Sequence, residues 1–355
     1  MSDNYGKITL GATGDILLHK RVYNKAKQED GTYNFDEMFS NVESLFKKDH
    51  LIIVNQESII AGKELGLSCF PKFNSPVEIG YKLKDMNVDI VNIANNHTMD
   101  HGEKGVLKSI ENWEKIGLPY VGAYKSREDQ ETLRIIHKNG LRICFLSYTG
   151  VSFGQKVPER KGYLLNRYGK TTYAGFKGAP GLRRLINRIK REDLADVFVV
   201  SIHYGKEYHM FPTALQKEIA IDLADAGADI IIGHHPHVLQ PPASLMNSKG
   251  ETSFASYSLG NFFSGQKGLY RQIGGYMTID IEKPLEGRLL KVTNPTFTLT
   301  YVDSDDASDY KIHLLKDIVK SQKTIKTNIG EFDAKMIYEK MITHMKKWVP
   351  ELDVN

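Results

Sequence analysis

The stretch DIIIGHHPHVLQ, residues 229–240, places three histidines and one proline directly after a run of isoleucines. A short apolar run bounded by polar residues predicts a buried strand. Comparable runs ending in small or polar side chains recur at residues 7–13, 51–57, 89–95, 133–148 and 196–204. Segments with apolar residues at helical spacing, such as 105–117 and 213–227, lie between many of them. This alternation over the first 240 residues predicts an α/β fold.

After residue 240 the pattern changes, because strand candidates follow one another without an intervening helix. Residues 253–260, 274–282 and 292–302 carry them, which predicts antiparallel additions to a sheet. The acidic stretch 303–311 reads as a polar loop, and 333–348 reads as a helix ahead of Pro350. We therefore expect one domain over residues 1–302, with 303–355 as a loop and helical extension packed on it.

One internal similarity relates two parts of the chain at an offset of 140 residues. Leu83 then aligns with Leu223 and His97 aligns with His237. Such a short match does not indicate a repeat protein. Each copy predicts a helix, a turn and a strand that ends in a histidine-bearing loop.

Composition limits the class of protein. The chain has 355 residues, of which 41% are hydrophobic and 25% charged, as in soluble globular proteins. Its net charge of +4 is too small to indicate nucleic-acid or anionic-membrane binding. Two cysteines without a CxxC pair argue against a thiolate zinc site. Neither a signal peptide nor a membrane-spanning run is visible, so we expect a soluble, cytoplasmic chain unless an anchor or signal has been removed.

Side chains typical of metal ligands stand where five of the apolar runs end. They are Asp15, Asn55, Glu57, Asn95, Asn96, His97, His203, His235 and His237. The carboxyl ends of strands in an open α/β sheet line one crevice, where ligands bind. Imidazoles mixed with carboxylates and amides suit divalent metals. Because the set exceeds the three or four ligands of one catalytic zinc, it points to two ions that share a carboxylate.

Each of these residues also has a purely structural interpretation. Asp15 alone could cap a helix over residues 16–26, and Glu57 could be a capping carboxylate as well. We expect structural roles for His50, His137, His209 and His313, whereas His19 and His101 stand closer to the proposed ligands. For His235 and His237 the ligand interpretation is favoured, because an extended backbone would point both side chains the same way.

Six stretches between residues 14 and 263 together resemble the poly-γ-glutamate capsule synthesis family, CapA: GDILL, VNQES, ANNHTMDHG, HYGKEYH, GHHPHVLQ and YSLGNFF. That family is similar to the calcineurin-like metallophosphoesterases. The resemblance implies an α-β-β-α sandwich of the metallophosphatase kind, with a metal cleft at the carboxyl ends of the strands. It also implies two divalent ions, with Mn, Fe or Zn favoured.

The resemblance assigns roles residue by residue. The implied metal ligands are Asp15, Glu57, Asn96, His203, His235 and His237. His97 is the implied catalytic histidine and would act as general acid. Tyr204, Glu207, Tyr208 and Asn261 are implied to line the substrate cleft. Position 234 varies in the family, so His234 is not expected to be a ligand.

Two positions depart from the calcineurin-like pattern. Leu17 stands where those enzymes have a histidine, and Glu57 stands where an aspartate is usual. The expected function is metal-dependent hydrolysis of a phosphoester or a γ-glutamyl-type bond. Two other functions stay open: a non-catalytic subunit that binds a polymer or a partner, and a metal-dependent epimerase or amidase.

The expected partners are an anionic small molecule or a poly-γ-glutamate-type polymer, together with capsule-synthesis proteins. Nucleic acid is not expected. Relatives in this family are often anchored to the membrane at the outer cell surface.

Overall fold

A computed structural model describes residues 5–151, 156–168, 180–284, 290–304 and 309–355. The strands are β1 Tyr5–Leu17, β2 Leu51–Gln56, β3 Ile90–Asn92, β4 Tyr120–Val121, β5 Arg134–Lys138, β6 Leu141–Thr149, β7 Val197–His203, β8 Ile230–His234, β9 Leu239–Gln240, β10 Ala243–Met246, β11 Thr252–Ser256, β12 Ser258–Leu259, β13 Asn261–Ser264, β14 Ile273–Pro284, β15 Lys291–Val302, β16 Ile312–Leu314, β17 Thr324–Thr327, β18 Gly330–Asp333 and β19 Asp353–Val354. The α-helices are α1 Lys20–Ala26, α2 Asp36–Phe39, α3 Glu78–Asp85, α4 Gly102–Ile116, α5 Arg127–Glu131, α6 Pro180–Arg191, α7 Ala214–Ala226, α8 Leu315–Lys320 and α9 Ala334–Met345.

The first sheet is mixed and follows the order β16-β15-β14-β1-β2-β3-β4, with β13 beside β1 and β19 beside β15. Strands β1 to β4 run parallel, with Asp15 opposite Asn55 in the register of β1 and β2. Strands β14, β15 and β16 continue the sheet in antiparallel fashion, as the succession of strands without helices predicts.

The second sheet follows the order β10-β11-β8-β7-β6-β5. Its central strands β6, β7, β8 and β11 are parallel, and the edge strands β5 and β10 are antiparallel. Both β7 and β8 are buried along their whole length, which explains their continuous apolar sequences. The predicted α/β class is confirmed by this alternation.

Three apolar cores formed by the described residues hold the layers together. Side chains from both sheets, such as Leu10, Val199 and Ile232, share the central core. The opposite face of the first sheet packs against helices α1 to α4, and the opposite face of the second packs against α6 and α7. Helices therefore cover the outer face of each sheet, and the two inner faces pack together.

Helix α7 shows why the segments flanking the site fold as they do. Thr213 and Gln216 form a capping box at its start, an arrangement that contributes about 1 kcal/mol. Ile219, Ala220 and Leu223 form its buried face. Gly227 ends the helix with a φ of +101°, a conformation that glycine adopts without a steric penalty. The next strand, β8, then leads directly into the histidine-rich loop.

The C-terminal segment contacts the sheets. Strand β19 pairs with β15, and the Nε2 atom of His344 in α9 lies 3.1 Å from the carbonyl oxygen of Leu239. Part of the predicted polar loop, residues 305–308, lies outside the described residues. The domain boundary after residue 302 stays a prediction. Within the described ranges, no helix is both long and apolar enough to cross a membrane.

Candidate metal centre

Strand ends from both sheets converge on one buried cluster. Asp15 lies near the end of β1 and Glu57 follows β2, whereas His203 ends β7 and His235 follows β8. The four side chains are at most 3% exposed, so the cluster is shielded from solvent. Asp15 is not a helix cap, because α1 begins at Lys20 and its N-cap is His19.

Two glycines set the distance between the strands that carry the cluster. A Cβ atom on Gly14 would lie 2.6 Å from the carbonyl oxygen of Leu259 and closer still to that of Gly260. A Cβ atom on Gly233 would lie 2.8 Å from the carbonyl oxygen of Ser256. The YSLGN stretch therefore fits between β1 and β8 only because neither glycine has a side chain.

Asp15 is fixed by hydrogen bonds from both sheets. Its Oδ1 atom accepts from the side-chain amide of Asn55 at 2.8 Å and lies 3.0 Å from Nδ1 of His234. Its Oδ2 atom lies 3.1 Å from Nδ1 of His237. Burial raises the pKa of Asp15, but the hydrogen bonds from the two histidines outweigh burial and hold the pKa well below its usual range. Asp15 is therefore a carboxylate at neutral pH.

Glu57 has the opposite surroundings. Both of its carboxylate oxygens are buried and have no hydrogen-bond partner among the described residues. The Oε1 atom lies 3.5 Å from Nε2 of His203 and 3.6 Å from Nε2 of His237. Burial without donors raises the pKa of Glu57 well above its usual range. A carboxylate in such a place needs a cation to be stable in its charged form.

The loop after β8 departs from the extended backbone expected for it. His235 has a φ of +97° and His237 a φ of +57°, so both lie in the left-handed region. The expectation of an extended HPH segment is wrong, because β8 ends at His234 and the chain turns at once. Non-glycine residues in such conformations cost about 1–3 kcal/mol each and concentrate at functional sites.

Burial and neighbouring charged groups shift the pKa values of the imidazoles in the cluster. The Nδ1 atom of His235 lies 3.2 Å from Nε2 of His203. Burial and the neighbouring histidines lower the pKa of His203 well below its usual range and that of His235 to about 3. Burial would also lower the pKa of His237, but Glu57 and Asp15 raise it to about 9. Neutral imidazoles at His203 and His235 are in the form that binds a metal.

Among the described residues, three overlapping triads could each hold a metal ion. They are Asp15, Glu57 and His237; Glu57, His203 and His235; and Glu207, His235 and His237, and within each triad the donor atoms lie within 4.8 Å of one another. The side-chain oxygen and nitrogen of Asn96 are buried without a partner among the described residues. The donor set and the unpartnered oxygens of Glu57 and Asn96 fit a pair of divalent ions. No triad of described residues includes His234.

His97 lies beside this cluster and has a carboxylate partner of its own. Its Nδ1 atom lies 2.8 Å from Oδ2 of Asp100, and the ring packs edge-on against Phe73 at a centroid distance of 4.6 Å. His19 packs against the same phenylalanine at 5.2 Å. Asp100 is a candidate site residue that the sequence did not suggest, although it lies three positions after His97 in the same stretch.

The predicted substrate-cleft residues have different surroundings. Asn261 lies at the cluster, where its Oδ1 atom is 3.0 Å from Nδ1 of His237. The Tyr208 ring lies 6.2 Å from the His237 ring and is 44% exposed, so it faces both cluster and solvent. Tyr204 is 1% exposed and packs in the core between the second sheet and its helices. Its hydroxyl is buried there without a hydrogen-bond partner among the described residues, and its role in substrate binding stays a prediction.

Arg271 is a second residue that the sequence reasoning missed. Its guanidinium carbon lies 4.7 Å from the centroid of the Tyr208 ring. Its carbonyl oxygen accepts a hydrogen bond from Asn261 at 2.8 Å. No carboxylate of a described residue lies within 4.0 Å of the guanidinium. No local sequence pattern marks Arg271, because it meets the site only through contacts with distant residues.

Comparison with known proteins gives consistent matches. The bacterial capsule synthesis protein family PGA_cap matches residues 9–266. The PGA biosynthesis protein CapA of Bacillus subtilis (strain 168) is 32% identical over 329 residues, which cover 88% of this chain and 75% of that protein. The capsule biosynthesis protein CapA of Bacillus anthracis is 30% identical over 270 residues, covering 73% of this chain and 60% of that protein.

A solved structure of a hypothetical protein from Thermus thermophilus aligns with a TM-score of 0.44 at 16% identity, over 82% of this chain and 99% of that chain. The family match covers more than half of this chain, and the Bacillus proteins are at least 30% identical over most of it. The chain therefore belongs to the bacterial capsule synthesis protein family PGA_cap.

Proposed function

We propose that this protein is a hydrolase that depends on two divalent ions, with Mn, Fe or Zn favoured, and cleaves a phosphoester or a γ-glutamyl-type bond in an anionic substrate. The observation that carries the proposal is Glu57, whose buried oxygens have no donor among the described residues, with Oε1 lying 3.5 and 3.6 Å from two imidazole nitrogens. A fully buried carboxylate without donors is costly unless a cation binds it. Its position between His203 and His237 suits a shared ligand of two ions.

Each ion would be held by side chains from both sheets. Asp15, Glu57 and His237 would hold one ion, and Glu57, His203 and His235 the other. Asn96 would add its unpartnered side-chain oxygen. Bound ions of this kind polarise the scissile bond and lower the pKa of a water molecule toward neutrality.

Proton transfer would fall to His97. Asp100 accepts a hydrogen bond from the Nδ1–H of the ring, so Nε2 is the atom left for proton transfer. In the imidazolium form Nε2 carries the second proton, which would pass to the leaving group. Because Phe73 donates its backbone N–H to the same Asp100 oxygen at 2.6 Å, the carboxylate is fixed in turn. His97 would therefore act as a general acid held in one orientation.

Recognition of the substrate's negative charge would fall to Arg271. Its guanidinium has no carboxylate partner among the described residues and is stacked on Tyr208 at the edge of the centre. A planar guanidinium can bind a phosphoryl group or a carboxylate through two parallel hydrogen bonds. The proposed substrate class includes polymers of the poly-γ-glutamate type, in line with the names of the Bacillus relatives. The proposed fold is a sandwich of the metallophosphatase kind.

A second candidate is a non-catalytic subunit that binds an anionic polymer or a partner of capsule assembly. The names of the Bacillus relatives favour it, because they refer to biosynthesis and not to degradation. The guanidinium of Arg271 would serve binding as well as turnover.

Calorimetric titration of the chelator-stripped protein with Mn²⁺, followed by assays with a phosphoester and a γ-linked oligoglutamate, tests the proposal. We expect two saturable sites in the wild type and metal-dependent cleavage of one substrate class. Glu57→Gln should lose at least one site, whereas Glu218→Gln, which removes an exposed carboxylate on α7, should keep both. Uptake of metal without cleavage of either substrate would favour the binding protein. Absence of metal uptake would overturn the proposal.

A further inference from the structure

The position of Leu17 leaves the Asp15 side of the centre with fewer donors than the calcineurin-like pattern supplies. Leu17 is 1% exposed and apolar, and it lies in β1 two residues after Asp15. The triad on this side consists of Asp15, Glu57 and His237. Three protein ligands leave a divalent ion with open positions, and another side chain can fill one of them.

Glu207 is placed to fill such a position. One of its carboxylate oxygens and one ring nitrogen from each of His235 and His237 all lie within 4.8 Å of one another. Those two histidines belong to different triads, one on each side of the centre. Glu57 spans the same two triads, so Glu207 is a second carboxylate within reach of both sides.

The loop that carries Glu207 is attached to the histidine loop by its backbone. The N–H of Tyr204 donates to the carbonyl oxygen of His234 at 3.1 Å, and the N–H of Tyr208 donates to that of Pro236 at 2.7 Å. These two bonds flank Glu207 on either side. The main chain on both sides of Glu207 is therefore bonded to the main chain of the loop that carries His235 and His237.

The rest of the loop is fixed from the side of α7. Gln240 donates to the carbonyl oxygen of His209 at 2.7 Å and accepts from Gln216 at 2.9 Å. Gly205, with a φ of +98°, lets the chain pass so close to Gln216 that a Cβ atom would lie 2.5 Å from its Oε1 atom. A position built in this way is typical of a preorganised ligand.

We propose that Glu207 is a third carboxylate ligand of the metal centre, on the side of His237, where it takes the coordination position that Leu17 cannot occupy. This inference rests on the proposed function. It replaces the sequence-based assignment of Glu207 to substrate binding, because a carboxylate that faces the centre without a bound cation would repel an anionic substrate. With Glu207 as a ligand, three carboxylates oppose two divalent ions, and the centre keeps a net positive charge for that substrate.

The test is calorimetric titration of chelator-stripped, full-length protein with Mn²⁺. We expect Glu207→Gln to weaken one of two sites by at least tenfold, because even residues behind the ligands change metal affinity by about 10–100-fold. Glu207→Ala should give the same loss. The exposed Glu218→Gln is the matched control and should titrate like the wild type, and circular dichroism should show the wild-type spectrum for every variant.

The outcomes separate this inference from the proposed function. If Glu207→Gln or Glu207→Ala binds two ions with wild-type affinity, Glu207 is not a ligand, and the dinuclear centre still stands. If the wild type binds no Mn²⁺, both proposals fail. Loss of one site in both Glu207 variants with two sites in Glu218→Gln supports the inference.

Discussion

The Nδ1 atom of His97 lies 2.8 Å from Oδ2 of Asp100, and the same oxygen accepts the backbone N–H of Phe73 at 2.6 Å. The histidine and the aspartate are three residues apart in the chain, and both are buried. This pairing holds the His97 ring in one orientation and keeps Nδ1 as a hydrogen-bond donor, so that Nε2 is the atom left for proton transfer.

Asp100→Asn should lower kcat by roughly 10²–10⁴-fold, because the amide no longer fixes the ring tautomer. Mn²⁺ affinity should stay at the wild-type value, since Asp100 belongs to none of the metal triads. Steady-state kinetics and calorimetry measure the two quantities, with the exposed Asp49→Asn as control.

His97→Ala should cause a loss of similar size, and the double variant should lose no more, because the two residues act as one unit. Multiplicative losses in the double variant would show that Asp100 acts apart from His97.

Arg271→Gln should raise KM for an anionic substrate by roughly 10–100-fold. The reason is that the variant loses a charged hydrogen bond to the substrate, which contributes about 1.5–3 kcal/mol. Arg271→Lys should recover only part of this loss, because an ammonium cannot form two parallel hydrogen bonds. The exposed Lys249→Gln is the control for general electrostatics. Equal KM values for Arg271→Gln and the control would remove Arg271 from substrate recognition.

Glu57→Gln should raise the Tm of the metal-free protein, because it removes a buried carboxylate that has no donor among the described residues. It should also reduce the Mn²⁺-dependent rise in Tm, because at least one of the two sites is lost. For the wild type that rise corresponds to about 2.7 kcal/mol when free Mn²⁺ is a hundredfold above Kd. Thermal melts with Mn²⁺ and with chelator measure both effects. A metal-free variant that melts below the wild type would mean that Glu57 stabilises the apo fold.

Asp196 lies away from the centre, and it should make the free energy of unfolding fall at acidic pH. Its carboxylate accepts two side-chain hydrogen bonds from Arg142, at 2.8 and 3.0 Å, and one from Lys283. Burial raises the pKa of Asp196, but these bonds outweigh burial and hold the pKa below its usual range. Stability from this group is therefore present at neutral pH and is lost as pH falls below about 4.

Asp196→Asn should lower the free energy of unfolding at pH 7 by about 1.5–3 kcal/mol and by less at pH 2, because the contribution shrinks as the pH falls from about 4 toward the depressed pKa of the folded state. Urea denaturation at the two pH values checks this. Asp193 contacts the same Arg142 with a side chain that is 85% exposed, so Asp193→Asn should change little at either pH. A pH-independent loss in Asp196→Asn would assign the effect to packing.

The sequence similarity between residues 83–97 and 223–237 shows how far local patterns predict structure. The N–H of Val88 donates to the carbonyl oxygen of Leu83 at 3.2 Å, and Ala228 repeats this bond with Leu223 at 3.0 Å. Each helix end contains a residue with positive φ, Asn87 or Gly227.

The equivalent aspartates behave alike as well. Asp89 accepts the N–H of Ile52 at 2.8 Å, and Asp229 accepts that of Phe198 at 2.7 Å. The predicted helix–turn–strand unit is therefore formed twice, because short-range spacing determines it.

Prediction fails where distant segments decide the geometry. The left-handed conformations of His235 and His237 follow from the turn after β8 and not from the HPH spacing. Arg271 meets Tyr208 across 63 positions of sequence, so no local pattern reveals it. Tyr204 follows His203 in sequence, and its side chain packs in the core, because neighbouring residues of an extended chain point to opposite faces.

Gly14 and Gly233 have a consequence for how this protein tolerates change. Each lies within two positions of a residue of the centre, and each lies against carbonyl oxygens of the segment between β11 and β13. A single methyl group at either position would push that segment away and displace Asp15 or His235 with it. Substitutions that alter no donor atom would then impair metal uptake as severely as loss of a ligand. Screens for inactive variants should therefore recover alanine at these glycines alongside changes in the histidines and acids.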